Sequence, residues 1–220
     1  MKQVAAIILM TSASVLFSSC HKNSIKGEGP VTSDSRSVSS FYAIEANGEV
    51  DVEVHPSATN RVVVTGYHNL VPVYRTRVQE GKLVLEFEGN YWNVRNNNIQ
   101  VDVYATELTD VRMNGSGDIY VDADVNGENM DAEINGSGNI TIAANDYHDM
   151  NLKVNGSGDI NARSAHAERA EAEISGSGNI KLTVHQYLNA RISGSGTIDY
   201  WGNPERVDTE VSGSGKIRKQ

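Results

Sequence analysis

From residue 110 to residue 217 apolar and polar side chains alternate in short runs, and the runs break at a recurring Gly-Ser-Gly triplet. Ahead of the triplets stand Met130/Ala132/Ile134, Met150/Leu152/Val154, Ala170/Ala172/Ile174, Leu188/Ala190/Ile192 and Val207/Thr209/Val211. Behind them stand Ile119/Val121/Ala123, Ile140/Ile142/Ala144, Ile160/Ala162, Ile180/Leu182/Val184 and Ile198/Tyr200. A period of two buries one face of a strand and leaves the other in water. Two short strands therefore meet at each triplet, and an irregular third segment closes the unit. The first glycines fall at 115, 136, 156, 176, 194 and 213, so the unit is about 20 residues long.

A repeat of this length is one turn of a solenoid. Leucine-rich repeats share the period, but no unit here has room for a helix. The pattern predicts an all-β parallel β-helix whose small buried residues fill a narrow core. Glycine suits both ends of the corner, because positive φ costs other residues about 1–2 kcal/mol and stacked corners crowd Cβ atoms. The outward residue before each triplet reads Arg112, Glu133, Lys153, Glu173, Arg191, Glu210, with alternating sign throughout. Stacked about 4.8 Å apart, these side chains are expected to form one column that fixes the register.

The first half is β-rich but less regular. Glu49 to His55, Lys82 to Glu88 and Gln100 to Tyr104 alternate, and Arg61 to Thr65 is a β-branched run. These read as the opening turns of the same solenoid, with 67–77 and 89–98 as excursions; a separate sandwich domain is the alternative.

Composition adds the location. Val4 to Phe17 carries no charge, follows Lys2, and is followed by Ser18, Ser19 and Cys20, the one cysteine of the 220 residues. Fourteen residues are short for a membrane span. The arrangement resembles a bacterial lipobox: residues 1–19 are expected to be a signal peptide, Cys20 the lipidation site, 20–40 a flexible tether and 41–220 the folded domain. A membrane attachment through lipidated Cys20 follows. A single cysteine also excludes intrachain disulfides and Cys-rich metal sites. Residues 113–217 hold seven Lys/Arg against sixteen Asp/Glu, which equals the whole net charge of −9. That balance speaks against nucleic acid as a partner.

Candidate chemistry is sparse. Asp118 and Asp159 follow Gly-Ser-Gly, but the same place holds Asn139, Asn179, Thr197 and Lys216, so no calcium repeat is expected. Asn114, Asn135 and Asn155 satisfy the glycosylation sequon, yet a stacked Asn/Ser ladder explains them. His55, His148, His166 and His185 lack metal-ligand spacing, so no metal or cofactor is expected. Asp110, Asp131, Glu171 and Asp208 share a predicted column that Asn151 and Asn189 interrupt. It offers no basic partner for a lyase, so no catalytic residue is assigned. The recognition candidates are Tyr91, Trp92, Tyr200 and Trp201, two Tyr-Trp pairs beside loop-forming residues, suited to glycan or protein contact. The alternative is that they plug gaps between turns.

The six triplets, each followed by one residue and then Ile, together with Phe41-Tyr-Ala-Ile-Glu-Ala-Asn-Gly-Glu-Val-Asp-Val, resemble the putative autotransporter adhesin, head GIN domain family. The resemblance covers about residues 40–217. It implies a right-handed single-stranded parallel β-helix on a Bacteroidetes-type lipoprotein with a surface-adhesion role. The expectation is a non-enzymatic cell-envelope lipoprotein of the outer membrane that contacts a glycan or surface protein, with homo-oligomers through open solenoid ends. The alternative is a polysaccharide-active lyase or hydrolase on the same scaffold.

Overall fold

The computed structural model describes residues 23–89 and 91–220. Its first half contains β1 (Asn23–Lys26), β2 (Val31–Ser37), β3 (Ala43–Gly48), β4 (Asp51–Pro56) and β5 (Arg61–Tyr67). One 3-10 turn, Val71–Val73, leads to β6 (Tyr74–Gln79), β7 (Lys82–Phe87), β8 (Tyr91–Arg95) and β9 (Gln100–Ala105). The repeat supplies β10 (Asp110–Gly115), β11 (Asp118–Val121), β12 (Asn129–Gly136), β13 (Asn139–Ile142) and β14 (Asp146–Gly156). It ends with β15 (Asp159–Gly176), β16 (Asn179–Gly194), β17 (Thr197–Trp201), β18 (Arg206–Gly213) and β19 (Lys216–Lys219).

Every strand of the repeat pairs in parallel with its equivalent one turn away, so the chain is an all-β solenoid of about 20 residues per turn. Most apolar positions read from the alternation fill its core: Met130, Ala132, Ile134, Leu152, Ala172, Ile180 and Ala190 are all buried. The exceptions include Val207, Thr209 and Val211 on the last described turn, which is covered on one side only, and Ala123 and Ala144 just beyond strand ends; Val211 and Ala144 are exposed. Arg112, Glu133, Lys153, Glu173, Arg191 and Glu210 are register partners in unbroken succession. Ion pairs close between Arg112 and Glu133 at 2.9 Å, Lys153 and Glu173 at 3.5 Å, and Arg191 and Glu210 at 3.8 Å. The column extends one turn further through Glu45, which stacks on Arg112 and accepts from Lys82.

The corner works as a backbone device. The first glycine of each triplet has φ between +121° and +152°. The next residue's N–H donates to the first glycine's carbonyl one turn back, as from Ser157 to Gly136 at 2.9 Å and from Ser177 to Gly156 at 2.8 Å. The second glycine is needed for a different reason: a Cβ on Gly158 would come within 2.1 Å of the Gly138 oxygen. Beside the corner, Asn135 donates its side-chain amide to Asn114 at 2.9 Å, and Asn155 to Asn135 at 2.9 Å. The expected asparagine ladder is thus present and uses the very amides a sequon would offer.

The first half joins the same stack, but not in chain order. β3 and β4 lie against β10 and β11, and on their other side against β7 and β9. The first turn in sequence is therefore second in space. The reason is the excursion: β5 runs antiparallel to β9, and β6 antiparallel to β7, so the chain turns back and returns beyond its own start. Antiparallel strands have the effect of covering the edge that a sequential solenoid would leave open at this end.

The tether expected over 20–40 is corrected for residues 23–37. β2 pairs along all seven residues with β5, and β1 pairs with β8. Its Ser, Thr and Asp side chains hid this, because an edge strand is held through backbone groups and can leave its side chains in water. Arg36 adds an anchor, donating to the carbonyls of Tyr74 at 2.6 Å and Val71 at 2.8 Å.

Candidate functional site

On the strand after each corner, alternation turns the first and third residues outward. Register stacks them into two columns, Asp118/Asn139/Asp159/Asn179 and Tyr120/Thr141/Asn161/Lys181/Asp199/Arg218. Between them runs a groove of about 760 Å3, which begins at Glu53 and ends at Asp199 and Arg218. Its length lies along the solenoid axis, with one polar group per column every strand spacing of about 4.8 Å.

The first column is a hydrogen-bonded ladder. Asn139 Nδ2 donates to Asp118 Oδ1 at 2.8 Å, and Asn179 Nδ2 to Asp159 Oδ1 at 2.8 Å. Backbone N–H groups of Asp159 and Asn179 donate to the side chains one turn back, at 3.3 and 2.9 Å. Alternating carboxylates and amides thus hold one another in place, while the carboxylates keep unused acceptor capacity toward the groove. Asp118 and Asp159 are two turns apart, about 9.6 Å by strand spacing, too far to share a calcium ion.

The second column is more varied. Tyr120, 43% exposed, stands at the end near Glu53. At the other end a bidentate pair with Arg218, at 2.8 and 3.0 Å, holds the Asp199 carboxyl below its ordinary range.

The candidates read from sequence fall in separate places. Trp201 lies two residues beyond Asp199 on the outward side of β17, stacked in register on Thr183, with the Arg163 guanidinium 4.4 Å from its ring centroid. It therefore flanks the far end of the groove. Tyr200 points the other way and packs against the core. Tyr91 lines a different hollow, with Asn47, Glu86, Phe87 and Asn97, at the opposite end of the solenoid. The side chain of Trp92 and the whole of Cys20 lie outside the described residues. The structure does not bring the two Tyr-Trp pairs together. Tyr120 went unnoticed because its aromatic ring has no aromatic neighbour in sequence; its place in the Ile119-Tyr120-Val121 alternation marked it as outward.

Two histidine groups also form only in three dimensions. His148, His166 and His185 gather on another side of the solenoid, where His148 pairs with Glu168 at 2.8 Å and His166 lies 3.5 Å from Asp146. His55 lies between Asp122 and Asp102. Partial burial alone would lower its pKa, but the hydrogen bonds and charges of the two aspartates outweigh that and hold it above the ordinary value. The column of outward acids to which no catalytic role was assigned is in register, Asp110 opposite Asp131 and Asn151 opposite Glu171, with the expected asparagine interruptions.

The fold and the groove define the class, a β-solenoid with a polar groove along its axis. Residues 40–204 match the family described as putative auto-transporter adhesin, head GIN domain, and the chain belongs to that family. Solved structures share its fold. A putative adhesin from Bacteroides fragilis superposes with a TM-score of 0.72 at 19% identity, covering 89% of this chain and 99% of that one. A putative adhesin from Parabacteroides merdae gives 0.62 at 21%, covering 90% and 100%. A protein from Parabacteroides distasonis described as a putative lipid binding protein gives 0.57 at 23%, also over 90% and 100%. No curated protein matches the chain.

Proposed function

We propose that the chain is a non-enzymatic adhesin of the cell envelope, lipidated at Cys20, that holds an extended glycan along the groove between Glu53 and Arg218. The groove carries this reading: its two columns repeat polar groups at about 4.8 Å, roughly the length of a pyranose ring, over several consecutive turns. Carboxylates and amides that already restrain one another lose little conformational freedom when sugar hydroxyls bind. Tyr120 at one end and Trp201 at the other supply faces on which a sugar ring can stack. Tyr91 and Trp92 would form a second contact at the other end of the solenoid. The adhesin names of the family and of two of its structural relatives support a role in attachment.

The test is binding of the purified protein to immobilised polysaccharides and to extracellular-matrix proteins. Tyr120→Ala and Trp201→Ala should each weaken polysaccharide binding by about tenfold, a loss of about 1.4 kcal/mol. Binding confined to matrix proteins and unchanged in both variants would refute the groove as a glycan site. Release of reducing ends during incubation would favour the enzyme. For the anchor, Cys20→Ser should move the protein from the membrane fraction to the soluble one; a membrane location unaffected by this change would refute lipidation.

A further inference from the structure

At the Glu53 end of the groove, β4 lies between β9 and β11, and four side chains converge, two from β4, one from β9 and one from the residue just after β11. His55 Nδ1 is 2.6 Å from Asp122 Oδ2, while His55 Nε2 is 3.4 Å from Asp102 Oδ1 and 4.0 Å from Glu53 Oε2. Glu53 and Asp102 are register partners on adjacent strands, and the three ligand atoms of Glu53, His55 and Asp102 all lie within 4.8 Å of one another.

The imidazole makes this more than a patch of acidic residues. In the neutral ring, with Nδ1–H donated to Asp122, the lone pair lies on Nε2, the nitrogen that faces the other two carboxylates; a cation there would take the place of the Nε2 proton. A carboxylate that orients a histidine from behind in this way is the usual support for a metal-bound imidazole. Ligand atoms about 2.0–2.1 Å from one tetrahedral ion lie about 3.3 Å apart. The observed 3.4 and 4.0 Å separations are within side-chain adjustment of that figure, with the backbone unmoved. Nitrogen in the set argues against calcium and magnesium, which take oxygen ligands, and favours zinc and its neighbours.

We propose that Glu53, His55 and Asp102 form a binding site for a first-row divalent cation of the zinc type, with Asp122 as the residue that positions His55. Two ligands come from β4 and one from β9, so the ion ties together two turns that the chain assembles out of order. Three protein ligands leave a fourth position for water or a ligand oxygen. Glu53 also lines the groove, so the ion adjoins its Tyr120 end.

Zinc titration of the purified protein by calorimetry, with the unfolding midpoint followed in parallel, tests the site. The expected result is one tight Zn2+ per chain and a raised midpoint. Glu53→Gln should abolish tight binding; its side chain is 66% exposed, so the metal-free midpoint should stay at the parent value. Asp102→Asn should do the same. Asp122→Asn should weaken binding about 10- to 100-fold, and Asp122→Glu, which again offers Nδ1–H an acceptor, should recover part of the loss. A triple His148→Ala, His166→Ala, His185→Ala variant should bind as the parent does. Failure of the parent to bind zinc, or zinc affinity unchanged by Glu53→Gln and Asp102→Asn, overturns the site. Calcium binding as tight as zinc overturns the choice of ion.

Discussion

The Ser157 N–H donates to the Gly136 carbonyl at 2.9 Å, and a Cβ on Gly156 would meet that same oxygen at 2.1 Å. One atom therefore both bonds the corners together and excludes every residue except glycine from the position. Gly156→Ala must distort a residue at φ +139° and break the approach of two turns. We expect a loss of about 2–4 kcal/mol, from backbone strain and overpacking together, seen as a lower midpoint in denaturant. Gly89→Ala, where an added Cβ has no neighbour within 4 Å, should change the midpoint little.

The charge column makes a second expectation. Lys153 stands between Glu133 and Glu173 on the adjacent turns. Lys153→Glu places three carboxylates in succession and should cost about 0.5–1.5 kcal/mol, at the scale of two like-charged cross-strand neighbours. Because the side chains are partly exposed, 1 M salt should remove most of that difference. A salt-independent loss would mean that packing of the lysine stem matters more than charge.

These two features were legible in the sequence because each depends on a local rule repeated many times. Alternation around six triplets set the register, and the sign of residues 112, 133, 153, 173, 191 and 210 checked it independently. The first half lacked such repetition. Nothing in Lys82 to Phe87 says that it lies beyond Ala43 to Gly48, because β-strands of similar pattern are interchangeable until the antiparallel excursions of β5 and β6 choose their neighbours. The strand at Val31–Ser37 was hidden for a related reason: an edge strand held by backbone bonds needs no apolar code. Of the groove, the polar columns were visible as outward positions, but their joining into one concavity depends on the shape of the post-corner strands. The His55 site was invisible because residues 53–55, 102 and 122 meet only through the exchanged order of turns.

Asp110 and Asp131 are acids stacked in register on adjacent turns. Desolvation raises the Asp110 pKa, and the Asp131 charge adds to the rise against the lowering effect of Arg112. A carboxyl whose folded pKa exceeds its unfolded value binds protons more readily when folded, so its contribution to stability increases as pH falls through the carboxylate range. At neutral pH it therefore opposes folding. Asp110→Asn should stabilise the protein at pH 7 by up to about 1 kcal/mol, the scale of relieving one like-charged pair, and the gain should shrink toward pH 4. Thermal unfolding of both proteins across that range measures the difference; a loss of stability at pH 7 that fades on acidification would show that Asp110 is paired favourably instead.

Arg36 offers the sharpest test of where the folded body begins. Its guanidinium reaches from β2 to the carbonyls of Tyr74 and Val71 and also to Asp34 at 2.8 Å, so one side chain ties the edge strand to the excursion that covers the end of the solenoid. Arg36→Ala leaves two carbonyls without their charged donor and should cost about 1.5–3 kcal/mol. If β2 is held chiefly by this anchor and its pairing with β5, the loss should appear first as local opening: proteolysis between residues 23 and 40 should accelerate well before the repeat unfolds. Rapid cleavage there in the parent protein, equal to that in the variant, would restore the tether and remove β2 from the body.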